Sequence, residues 1–466
     1  MELVPWRKDG MRVERMGAGG VKTKIAFAAL LGAAGLGLAV SPEAQVKQGG
    51  PANAGDTAWM LTATALVLLM TPGLSFFYGG MVRLKNVVST LLQSFIAMAV
   101  VSLLWVGIGF SLCFGDSLGG LLGNPRTFFF FSGVGLETHP DLSPTVPLML
   151  FALFQLKFAI ITPALITGAF AERIRFGAYL LFMVLFSVFI YAPLAHWTWH
   201  PEGFLRKWGV LDFAGGSVVH MSAGFAALAG ALVLGRRKTH QENSPHTPAN
   251  VPYVMLGTGM LWFGWFGFNA GSALSASGQA VLAFATTNTA SAAAMLGWMA
   301  FDWVRGRKPG AMGACVGAVV GLVAVTPAAG FITVGQSIAL GLVASVISNL
   351  AVSFKMKTRL DDTLDVFPCH GVGGMVGLIA TGLLAKDVGL IHGQTRTFLF
   401  HLLALVIVSA FTFLGSLLLY KVVGLLVPLR VTEQQEHEGL DRSQHAETVG
   451  ESALSALPSS APAAAS

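Results

Sequence analysis

The sequence predicts an all-α integral membrane protein of eleven transmembrane helices, built on an inverted five-helix repeat. Three observations predict it. Of 466 residues, 54% are apolar and only 11% charged. Apolar runs of spanning length alternate with short basic loops. A histidine-centred motif recurs 150 residues further on.

A soluble chain carries about 25% charged residues; here the mean hydropathy is +0.68, as expected for a chain lying mostly in a lipid bilayer. The formal net charge of +6 does not point to nucleic acid. Its basic residues sit in short clusters between apolar runs, the pattern of membrane loops. Cys113, Cys315 and Cys369 fall inside apolar segments without C-x-x-C or zinc spacing, so they read as packed thiols. No metal or cofactor is expected. The 56 glycines suit closely approaching helices.

The N-terminus reads as a signal peptide over 1–44, starting at Met1, Met11 or Met16. Arg12, Arg15, Lys22 and Lys24 precede an apolar run over 25–40, followed by Ser41-Pro42-Glu43-Ala44-Gln45. An extra N-terminal span is the alternative. The membrane domain covers 45–430, with spans at 57–80, 86–114, 145–170, 176–199, 215–235, 251–270, 278–301, 311–329, 332–354, 368–385 and 397–427.

Loop charge gives the orientation. Arg83 and Lys85, Arg173 and Arg175, Arg236 to Lys238, Arg305 to Lys308, Lys355 to Arg359, and Arg430 all fall in one set of alternate loops. The other set holds only Arg126, Arg206, Lys207, Lys386 and Arg396. This places the mature N-terminus outside and the C-terminus in the cytoplasm, in a cell inner membrane. The tail, 431–466, is polar and then fades into an Ala, Ser and Pro end, so it is expected to be partly disordered.

Span five is preceded by Asp212 and contains His220, Gly224 and Leu228. Span ten is preceded by Asp362 and contains His370, Gly374 and Leu378. Both read D-x7-H-x3-G-x3-L. Five spans separate them, and an odd number per repeat inverts the second copy, a signature of transporters with a site near the midplane.

Histidines within spans are costly, and by default mark pathways or proton relays. A helix-to-helix hydrogen bond is the plain structural alternative, and a metal site with Cys369 the sharper one. Two imidazoles can share one hydrogen bond, leaving a nitrogen each to line a path. When dry, such a pair carries no fixed charge and can accept or pass a proton. Span six carries Trp262-Phe263-Gly264-Trp265-Phe266-Gly267-Phe268-Asn269-Ala270-Gly271-Ser272. There Phe268 and Ser272 lie four apart on one face. An aromatic ring beside a hydroxyl can hold a small cation. Phe158 on span three and Trp199 at the end of span four offer further faces, although Trp199 equally fits an interfacial belt. Asp212 fits a helix cap first, and an entrance acid second.

These residues resemble the Amt/MEP/Rh ammonium transporters, the bacterial Amt branch most closely, from about Ala58 to Glu447. The resemblance is carried by Phe76-Phe77-Tyr78-Gly79-Gly80, Ala171-Glu172-Arg173-Ile174-Arg175-Phe176, Asp212 through His220, Gly264 through Ser272, and Asp365-Val366-Phe367 with His370-Gly371. It implies an ammonium recruitment site at Phe158, Trp199 and Ser272, and a stacked gate of Phe158 and Phe268. It further implies twin pore histidines His220 and His370, and an acid needed for transport at Asp212. It implies a homotrimer with a central pore in each subunit, whose cytoplasmic face meets a PII-type signalling protein, and it implies no enzyme activity. Sensors of the same fold and Rh-type gas channels are the neighbouring alternatives. Two departures stand out. Lys157 sits beside the gate where a neutral residue is usual, and is expected to point away, toward a neighbouring helix or a subunit interface. His445-Ala446-Glu447 replaces the usual His-Gly-Glu, which bears on regulation by the tail.

Overall fold

The computed structural model describes residues 46–449, and there the chain is a helical bundle. The expected signal peptide and the end of the tail lie outside the described residues. In chain order the long helices are α1 (Ala54–Met81), α2 (Leu84–Phe114), α3 (Leu148–Phe170), α4 (Phe176–Lys207), α5 (Gly216–Leu234), α6 (Val251–Gly271), α7 (Gly278–Val304), α8 (Ala311–Val325), α9 (Val334–Lys355), α10 (Phe367–Leu384) and α11 (Thr395–Leu426). Among the described residues, nine are long and apolar enough to cross a membrane. The other two, α6 and α8, occupy the positions expected for spans six and eight, and α8 has only 15 residues. The count of eleven therefore rests on these two.

Local chemistry sets the ends. Asn53 and Asn250 cap α1 and α6 through their side chains, accepting from the N–H groups of Asp56 and Tyr253. Thr333 and Gln336 form a capping box on α9. Span eight was expected to run to 329, but the helix stops at Val325. Pro327 has no N–H to continue the ladder, and Thr326, still in helical backbone, closes it with its N–H on the Val323 carbonyl. Span three starts at Leu148 rather than 145, because Ser143–Pro147 pairs as a strand with Thr138–His139.

Glycine sets the helix contacts. On α6, Gly257 lies where a Cβ would meet the Phe77 nitrogen of α1 at 2.3 Å. On α9, a Cβ at Gly341 would meet the Ala290 carbonyl oxygen of α7 at 2.3 Å. Such approaches let backbones touch where hydrophobicity alone supplies no helix-to-helix force.

The repeat is visible in the backbone. Gly224 of α5 abuts Gly371 of α10, while Gly374 abuts Met221. Contacts run backward on one helix as numbering rises on the other, so α5 and α10 cross antiparallel. Both helices open with a π-helical turn, Gly216–Met221 and Phe367–Val372, and each turn holds one motif histidine. Gly215 (φ 111°) and Asp365 (φ 58°), at matching repeat positions, both take left-handed backbone just before it.

The start of the tail is helical. Two short helices, α12 (Glu433–Glu438) and α13 (Leu440–His445), dock on the loops that carry the basic residues. Thr432 and Gln435 make a capping box. The Asp441 carboxylate accepts from the Val88 and Ser89 N–H groups at 3.0 and 2.8 Å, near the start of α2. Glu436 binds Arg430 at 2.6 Å and accepts from the Lys238 N–H at 2.6 Å. These side chains satisfy backbone donors that otherwise have no partner, and the Ala, Ser and Pro end lies outside the described residues.

Candidate functional site

The site is built downward from a mouth between the ends of α3, α4 and α6. A cavity of about 500 Å³ opens there, and Phe158, Trp199, Asp212 and Ser272 are among the residues lining it. Ser272, just past the end of α6, donates its hydroxyl to the Phe268 carbonyl at 2.8 Å, which leaves the oxygen's lone pairs to accept from a ligand. Trp199 meets Phe158 edge-on, with centroids 5.7 Å apart, and its indole N–H donates to the Asp212 carbonyl at 3.1 Å. That hydrogen bond fixes the ring in the wall of the cavity.

Below the cavity the chain closes. The rings of Phe158 and Phe268 stack with centroids 4.2 Å apart and 29° between planes, and both side chains are buried. Beneath them lies a void of only about 10 Å³, bounded by aliphatic side chains, Trp265, Phe268, His220 and His370. A single water needs about 10–15 Å³, so a hydrated ion does not fit.

The two histidines meet there. His220 Nδ1 and His370 Nδ1 are 3.3 Å apart, and both side chains are buried. One hydrogen bond between two Nδ1 atoms requires opposite tautomers: one ring is protonated at Nδ1, the other at Nε2. The pair therefore presents one acceptor and one donor nitrogen. His220 Nε2 has no partner among the described residues.

Asp212 works as a cap. Its Oδ1 accepts from Gly215 and Gly216 N–H at 2.9 and 2.6 Å, and its Oδ2 from Ser217 N–H at 2.7 Å and the Ser217 hydroxyl at 2.5 Å. Its counterpart Asp362 accepts from Val366 and Phe367 N–H at 3.1 and 2.8 Å. Each carboxylate pins the turn that carries its histidine.

Three contributors were missed in the sequence. Trp265 stacks on His220 with centroids 5.3 Å apart, and donates its indole N–H to Thr326 at 2.9 Å. Gln155 lines the mouth cavity, and its buried Oε1 has no partner among the described residues. The buried His401 accepts from Leu211 N–H at 3.0 Å and so holds the loop before Asp212. A polar residue three before Phe158 on a helix face was the available signal for Gln155; the others come only from the fold. Lys157 is not among the residues lining the cavity.

The opposite face is an ionic cluster. Arg237 joins Glu172 at 2.7 Å and Asp361 at 2.9 Å, and Arg83 joins Glu172 at 2.9 Å. Burial alone would raise the Glu172 carboxyl, but Arg237 and Arg83 hold it below the usual carboxylate range. Asp361 is held lower still by Arg173 and Arg237, against the same burial.

A family model described as Ammonium Transporter Family matches residues 58–449. The chain belongs to the ammonium transporter family. An ammonium transporter of Bacillus subtilis is 46% identical over 404 residues, covering 84% of this chain and 98% of that one. The crystal structure of Candida albicans Mep2 superposes with a TM-score of 0.78 at 36% identity, covering 82% of this chain and 88% of that one. A protein described as a sensor Amt protein superposes with a TM-score of 0.78 at 29% identity, covering 84% and 98%. Membership places the chain among multi-pass membrane transporters, not enzymes.

Proposed function

We propose that this family member carries ammonium: the ion is recruited at the mouth cavity, loses a proton, and crosses as ammonia past His220 and His370. One observation carries the reading. The stacked Phe158 and Phe268 part a cavity of about 500 Å³ from a void of about 10 Å³, and beside that void the imidazole pair supplies the polar groups. A bare cation at the bilayer centre costs at least about 2.5 kcal/mol. Neutral ammonia avoids that cost.

In this reading Phe158, Trp199 and Ser272 replace part of the water around the ion, by ring faces and a hydroxyl lone pair. Phe158 and Phe268 form the gate, and Asp212 holds the mouth and the turn below it. One N–H bond of ammonium then breaks. Its proton goes to mouth water or to the imidazole pair, and ammonia continues. The acceptor and donor nitrogens of the pair suit a molecule that both accepts and donates. Potassium has no proton to give up, so the same step discriminates against it. Charge moved per ammonia decides whether the proton returns or follows.

Loop charge supports placing the mouth outside and the docked tail in the cytoplasm, in the inner membrane, after removal of residues 1–44. The membrane domain is then 45–430 and the tail 431–466. Family membership supports a homotrimer, and the tail face, rich in basic loops, suits a PII-type signalling protein. The likeness to a sensor Amt protein favours one second reading, an ammonium sensor that carries little.

The test is methylammonium uptake and ammonium-evoked current in cells lacking their own carriers. Uptake is expected in the wild type, and its absence would favour the sensor. In His220→Ala/His370→Ala, discrimination against potassium should collapse; unchanged discrimination would end the twin-histidine role.

A further inference from the structure

Lys157 and Asn288 are two polar side chains of spanning helices that face outward and make no hydrogen bond or ion pair among the described residues. On α3, which is otherwise almost wholly buried through its middle, Lys157 continues a half-exposed stripe with Met149 and Leu153, at i, i+4 and i+8. On α7, Asn288 is exposed, one turn from exposed Phe284. Both lie inside their helices, Lys157 as the tenth residue of α3 and Asn288 as the eleventh of α7.

A series of contacts places the two at one level in the membrane. Phe158, the residue after Lys157, stacks on Phe268 at 4.2 Å. Asn269, the residue after Phe268, donates to the Thr287 hydroxyl at 2.9 Å, and Asn288 follows Thr287. The series runs through the protomer from α3 to α6 to α7, and α3 and α7 do not pack extensively on each other. Lys157 and Asn288 therefore mark separate outward faces at equal depth.

A closed ring of copies about the bilayer normal joins two different patches of the same chain, and rotation conserves depth. Lys157 is a donor without an acceptor, and the Asn288 amide oxygen is an acceptor without a donor. We propose that a second copy of this chain covers each stripe, and that Lys157 donates to the amide oxygen of Asn288 of the partner subunit. The inference rests on the homotrimer reading above and names the contact that closes the ring. It sets that contact one residue from Phe158 on one side. On the other side it lies beside Thr287, which holds Asn269 next to Phe268. The interface thus braces the gate helix of one subunit against the gate support of the next.

Full-length Lys157→Cys and Asn288→Cys chains, co-expressed in membranes, are treated with a short bismaleimide; the three native cysteines are buried. A covalent dimer is expected from the mixture and from neither chain alone, and a chain carrying both changes should give a ladder ending at three. A dimer from Lys157→Cys alone would overturn the pairing, as would no product from any mixture. Native mass spectrometry of the intact protein is the second arm. Lys157→Met and Asn288→Leu should each lower the surviving trimer fraction several-fold, and the double change Lys157→Met/Asn288→Leu should restore most of it. Losses that simply add, or no loss, would send the lysine to lipid headgroups and end the proposal. A monomeric wild type would instead sink the homotrimer reading itself.

Discussion

Asp212 and Asp362 hold the same office in the two repeats: each carboxylate gathers the first N–H groups of a π-helical turn that carries a motif histidine. The two are not equal. Asp212 also takes the Ser217 hydroxyl at 2.5 Å, whereas Asp362 shares its surroundings with Lys355, whose ammonium pairs with Asp365.

Asp212→Ala should unseat the turn below it. Losing a cap costs about 1–2 kcal/mol, and here several donors are stranded together. Thermal unfolding in detergent should show a clear drop in midpoint. Methylammonium uptake should fall more than in Asp212→Asn, which keeps one acceptor.

Asp362 gives a pH signature. Burial pushes its carboxyl up to about 6, although Lys355 pulls the other way. A carboxyl raised in the folded state contributes stability that is full below the ordinary aspartate value near 3.9 and is lost as pH rises through about 6. The melting midpoint of the wild type, relative to Asp362→Asn, should therefore be more favourable at pH 5 than at pH 8. The opposite slope would mean that the hydrogen-bonded carboxylate dominates.

Phe268→Ala should remove the stacked lid over the histidines. Large-to-small changes of a buried ring cost about 3–5 kcal/mol, so a lower melting midpoint is expected. Mouth water would then reach the imidazole pair, and ammonium-evoked current should change in both size and selectivity. Unchanged current with lower stability would reduce this ring to packing.

Arg237→Met leaves Glu172 and Asp361, both almost fully buried, short of their shared cation. Breaking a buried pair on one side costs about 3–5 kcal/mol. The Arg237→Met/Glu172→Leu double change should recover part of it, as read by melting in detergent.

Much of this was legible in the sequence. The D-x7-H-x3-G-x3-L motif fixed which helices cross, since its histidines had to share one polar contact in lipid and its glycines had to let the backbones meet. Spacing on α6 put Ser272 within reach of Phe268. What stayed hidden depends on groups far apart in the chain. The partners of Arg237 lie 65 and 124 residues away, and Asp441 caps a helix 352 residues before it. The π turns leave no periodic trace of their own, because their extra residue is absorbed by the fold around it. The docking of the tail's first helices was hidden too, because their polarity was visible but the orphan donors awaiting them were not.

The widened turns constrain the rest of their two helices. A π turn takes in one residue more than the α ladder needs. Deleting one residue from either turn would swing everything beyond it by about 100°, at 3.6 residues per turn. The surplus residue thus works as an angular setting, and the meeting of the two rings depends on it in both helices.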